Sequence, residues 1–165
     1  MHDPAAGRRL LACHLISALI LGLCIPRRGA QKTAAPIPMP LFQALRETAL
    51  AMLTVGLCIT LGSVSARMAA CALPDLPPAA AAALQCALEV TSGVRGLIGL
   101  NSSWTFPLVC AACSFGGFSL LMQNAAFWQE SGVSAGQLLA LRLAHGLLAG
   151  IIGHLALYGI APAHG

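Results

Sequence analysis

The feature that most constrains this chain is a succession of apolar runs too long for the elements of a water-soluble domain. They occupy residues 10–25, 49–64, 106–128 and 135–160. A bilayer core about 30 Å thick is crossed by a helix of about 20 apolar residues. In that medium every backbone polar group must find its partner within the segment, which leaves helices or closed barrels. Charged residues make up only 8% of the 165 positions, against about 25% in soluble domains. The expected fold is an all-α polytopic membrane protein with four to five membrane helices, in contact with the lipid bilayer. Nine basic residues give a formal charge of +4, but they are spread along the chain. Nucleic-acid binding needs them clustered on one face, so no nucleic-acid partner is expected.

Residues 1–25 read as an N-terminal membrane helix. Arg8 and Arg9 before an apolar run also fit a signal peptide. The small-x-small cleavage pattern is missing, and Leu23 stands where a lipoprotein signal needs a small residue, so retention is expected. Residues 26–40 form a linker with Arg27, Arg28, Lys32 and prolines 26, 36, 38 and 40. Proline excludes a helix there, and the positive-inside rule makes it cytoplasmic. Residues 41–160 form the main membrane domain, followed by a tail at 161–165.

Within that domain, 41–73 is amphipathic in its first turns and then apolar, with Gly56 and Gly62 allowing close helix approach. Pro74, Asp75, Pro77 and Pro78 mark a turn. Segment 79–100 starts as an alanine-rich helix and is expected to lose helical character at Thr91, Ser92, Gly93, Gly96 and Gly99, which are poor helix-interior residues. Trp104 suits an interface anchor. Segment 106–128 carries Gly116-Gly117, which costs about 2 kcal/mol of helix propensity against two alanines. Two of the membrane elements are therefore expected to be discontinuous or re-entrant. Ser134 is a candidate N-cap for the last helix. In that helix Gly146 and Gly150 make a GxxxG pattern, for packing within the bundle or for a homo-oligomer. Basic residues place the N-terminus outside if segment 79–100 re-enters rather than crosses.

Seven cysteines lie mostly in apolar runs, where the residue behaves as a small hydrophobe. Cys110 and Cys113 have CxxC spacing, but no second pair or histidine cluster accompanies them, so no metal is expected. His14 and His154 are single histidines on apolar helices, with nothing to set them at one depth for haem. Ser92 with His145 lacks any nucleophile motif around it. No cofactor and no enzymatic activity are expected.

The chemistry concentrates at Glu89. It is one of five acidic residues; the other four lie in polar or turn-like stretches. A carboxylate within an apolar segment is costly and marks a ligand, ion or proton site by default. Broken helices are how transporters build sites at the membrane midplane. The candidate ligand-binding residues are Glu89, Thr91, Ser92 and Gly93 in one element, and Gly116, Gly117, Phe118, Ser119 and Gln123 in the other. The bland alternative has Glu89 neutral or paired with Arg95, and the glycines serving close packing alone.

Leu88-Glu89-Val90-Thr91-Ser92-Gly93, Ser114-Phe115-Gly116-Gly117-Phe118-Ser119 with Gln123, and Leu141-Arg142-Leu143-Ala144-His145 resemble the C-terminal half of sporulation integral membrane proteins with a nucleoside-recognition (Gate) domain. The likeness spans roughly residues 8–160. More distantly the blocks are similar to concentrative nucleoside transporters, which pair a Glu-containing hairpin with a broken helix. The resemblance implies a multi-pass protein of the bacterial cytoplasmic membrane that binds or transports a small polar solute or nucleoside. Members are much longer, so it also implies a truncated gene, a fragment or one part of a split protein, the last with its missing N-terminal half as a partner. The rival implication is a non-transport membrane assembly protein needed for spore cortex formation.

Overall fold

The computed structural model describes residues 4–25, 40–128 and 133–158. They form seven α-helices, with no strand among the described residues: α1 (Pro4–Cys24), α2 (Leu41–Ala72), α3 (Pro78–Leu88), α4 (Val90–Gly99), α5 (Thr105–Phe115), α6 (Gly117–Trp128) and α7 (Ala135–Tyr158). The basic linker up to residue 39 and the tail at 161–165 lie outside the described residues.

Four stretches are long and apolar enough to cross a membrane: Pro4–Cys24, Leu41–Ala72, Thr105–Ala126 and Ala135–Leu157. At 1.5 Å per residue, α1 is about 31 Å long, close to the hydrocarbon thickness. Its start at Pro4, upstream of the apolar run at 10–25, brings it to spanning length. The 32 residues of α2 reach about 48 Å, so its amphipathic first turns overhang the core. The eleven residues of α3 reach only about 16 Å.

The distribution of side-chain size is that of a protein in lipid. Most of the buried apolar positions are small, among them Cys13, Cys58, Ala66, Ala82, Cys110 and Ala149. Large apolar side chains point outward, among them Leu23, Phe42, Met52 and Leu147, each more than two-thirds exposed. Monomeric soluble proteins rarely expose apolar patches beyond a few hundred Å². In lipid there is no hydrophobic force between helices, so small residues mediate the close contacts and large ones face the acyl chains. The chain is a multi-pass, all-α membrane protein.

Helix pairing is antiparallel wherever the glycines report it. Gly146 faces Ala111 and Phe115, Gly150 faces Ala111 and Pro107, and Gly153 faces Cys110 and Pro107. As α7 advances, α5 recedes. The GxxxG stripe is thus taken up inside the bundle, against α5. In the same way Gly93 lies on Cys86 and Gly96 on Ala82, so α3 and α4 form a tight helical hairpin. The expectation of lost helical character at 91–99 is corrected here. These glycines weaken an isolated helix, but they let α4 close on α3, and tertiary packing outweighs propensity. α7 also packs on α1, while α2 packs on α6 and α3.

Candidate functional site

Glu89 is the single residue between α3 and α4. Its backbone is extended, with φ −149° and ψ 118°, the ordinary geometry of an N-cap. Its amide ends α3 by donating to the Gln85 carbonyl at 2.7 Å. Its side chain starts α4. The Thr91 amide donates to Oε1 at 2.9 Å, and the Ser92 amide to Oε2 at 2.8 Å. The Ser92 hydroxyl adds a third donor to Oε2, at 2.9 Å. The first amides of a helix lack intrahelical partners, and in lipid they would go unsatisfied. The carboxylate meets that need while 96% buried, its exposure being 4%. Arg95 is not among its partners; it lies exposed on α4.

The second junction is at Gly116 and Gly117, with φ of +83° and +73°. The Gly116 amide closes α5 on the Ala112 carbonyl at 2.8 Å. Two consecutive left-handed residues are readily available only to glycine. Gly117 also touches the first junction. A Cβ there would lie 2.8 Å from the Cys86 carbonyl oxygen and 3.4 Å from the Glu89 nitrogen. Gly62 of α2 closes the other side. A Cβ on it would stand 2.7 Å from Ser119 Cβ, 3.2 Å from the Leu88 carbonyl oxygen and 3.4 Å from Glu89 Cβ. Helix lengths put these contacts at one level. Glu89 follows eleven residues of α3, and Gly116 follows eleven of α5. Both distances are about 16 Å, half the hydrocarbon core.

Of the nine candidate residues, Glu89, Ser92, Gly117 and Ser119 converge at this point. Gly116 is buried beside them, and Gln123 is buried one turn beyond Ser119. Gly93 is engaged with Cys86 in the hairpin. Thr91 and Phe118 are exposed, Phe118 by 53%; Thr91 contributes its backbone amide. A carboxylate has about four lone-pair directions, and three are occupied. The Thr91 hydroxyl is a further hydrogen-bonding neighbour of the same carboxylate.

A second polar cluster escapes sequence reasoning. His14 Nδ1 and the Ser114 hydroxyl are 3.0 Å apart. His145 Nε2 donates to the His14 carbonyl at 3.3 Å, and the two imidazoles lie 4.8 Å apart between centroids. Ser17 donates to the same carbonyl at 2.9 Å. The partners are 100 and 131 residues apart, so no local spacing betrays them. Their only trace in the sequence is polarity on apolar helices. Ser92 and His145 belong to different clusters. Among the described residues no group of three or more His, Cys, Asp or Glu could hold a metal.

The fold and site together define a multi-pass membrane protein with a buried carboxylate at the tip of a short helical hairpin. Against known proteins, no family model, no curated protein and no solved structure matches the chain.

Proposed function

We propose that this chain is a Gate-type membrane protein that binds or moves a small polar solute at the membrane midplane, around Glu89. The observation that carries the reading is the meeting of two helix junctions at one depth, with a buried carboxylate between them. The α3–α4 hairpin is antiparallel and each arm is half a bilayer long, which favours a re-entrant element whose ends share one face. The α5–α6 segment is then a broken span opposite it. With Ser92 and Ser119 the site suits a solute bearing an N–H or O–H donor, which fits the hydroxyls and amines of a nucleoside. In this reading the site lies in a bacterial cytoplasmic membrane.

One observation favours the rival, an assembly protein of the spore cortex type. Three donors of its own helix already hold Glu89, so a structural cap accounts for the carboxylate without a solute. Uptake of radiolabelled nucleosides in a nucleoside-transport-deficient bacterium separates the two. The solute reading expects uptake above the empty-vector level and its loss in Glu89→Gln at unchanged membrane abundance. No uptake by the wild-type chain, or uptake indifferent to Glu89→Gln, sinks it.

A further inference from the structure

A cavity of about 230 Å³ lies between α1, α6 and α7, away from Glu89. Its walls include Leu21, Gly22 and Ile25 from the end of α1, and Leu138 near the start of α7. Its polar lining is Asn124, Arg142 and His145. His145 is fixed by its bond to the His14 carbonyl. The Asn124 amide nitrogen is fully buried and has no hydrogen-bond partner among the described residues. Arg142 is partly buried. The three described carboxylates are occupied elsewhere: Glu89 caps α4, Glu47 accepts from Gln43, and Asp75 sits in the exposed α2–α3 turn. The cavity therefore gathers a cation and an orphaned donor with no described carboxylate in its lining.

Its position sharpens the chemistry. It sits where α1 ends and α7 begins, the end of the bundle that leads into Arg27, Arg28 and Lys32. Arg142 lies seven residues into α7, about 10 Å along the axis, and a guanidinium can snorkel from there to the headgroup level. Guanidinium matches phosphate bidentately, and basic pockets between spans on the cytoplasmic side hold anionic headgroups. We propose that this cavity is a phosphate-binding site, with Arg142 and the Asn124 amide as the anchoring donors. The phosphate is that of an anionic lipid headgroup or of a free phosphate compound.

The test uses the full-length chain in phosphatidylcholine nanodiscs, with phosphatidylglycerol added in one arm and inorganic phosphate titrated in the other. Native mass spectrometry reads retained lipid, and the thermal midpoint reads phosphate. Preferential retention of one phosphatidylglycerol identifies the lipid source; a saturable phosphate-induced rise in midpoint identifies the free one. In either case Arg142→Gln is expected to weaken binding about tenfold, the scale of one charge-assisted contact. Gly22→Leu keeps every polar group and has open space around its Cβ, so it should fill the cavity and block binding too. It decides the matter if Arg142→Gln does not fold. Equal retention of both lipids with no phosphate response, or binding undiminished in the folded variants, overturns the proposal.

Discussion

At the scale of single residues, Glu89 combines a cost with a use. Burying a carboxylate among apolar helices is expensive, yet the one-residue turn of the hairpin leaves the first α4 amides without intrahelical partners. The side chain supplies acceptors where they are missing. Glu89→Ala is expected to lower stability by about 1–2 kcal/mol, the usual worth of an N-cap, read by thermal unfolding in detergent. Gly117→Ala meets two penalties at once, a left-handed φ and a Cβ 2.8 Å from the Cys86 carbonyl oxygen. A loss of about 1–3 kcal/mol is expected. Gly56→Ala, with nothing near its Cβ, is the control and should be neutral or mildly stabilising. Glu89 is legible in the sequence because a lone acid in an apolar run stands out. Its partners are not, because the same residues fit a ligand contact and a cap equally well.

At the scale of elements, caps and glycines decide where helices start and which surfaces meet. α7 opens with a reciprocal pair: the Gln137 amide donates to Ser134 Oγ at 3.2 Å, and the Ser134 amide donates to Gln137 Oε1 at 3.0 Å. This is a capping box, and the Ser134 N-cap expected from sequence is the residue found. Ser134→Ala should cost about 1 kcal/mol in the same unfolding assay. Gly150 lies 3.2 Å, by its would-be Cβ, from Ala111 Cβ. Gly150→Leu is therefore expected to destabilise the α5–α7 pair while leaving the oligomeric state in gel filtration unchanged. A shift from dimer to monomer would instead put the glycines at an interface between copies. A GxxxG pattern states that a helix approaches closely; which helix arrives is a tertiary matter.

At the scale of the whole molecule, four stretches are long and apolar enough to span, and the re-entrant α3–α4 hairpin proposed above would put both ends of the described chain on one face. Two exposed cysteines report this directly: Cys24 ends α1 and Cys71 lies one residue from the end of α2. In intact cells a membrane-impermeant maleimide should label Cys71, beside the α2–α3 turn, and spare Cys24 until the membrane is opened. Labelling of Cys24 first would invert the topology. The sequence by itself determined the membrane class, the approximate spans, the α2–α3 turn and the lone carboxylate in an apolar segment. Each follows from local rules: hydropathy against bilayer thickness, proline geometry, and the rarity of charge in lipid. Only the tertiary structure decided that α4 is helical, that Gly117 and Gly62 enclose the Glu89 tip, and that His14 meets Ser114 and His145. Those outcomes depend on backbones approaching within van der Waals contact across tens of residues, and small side chains permit such approaches without specifying their partner.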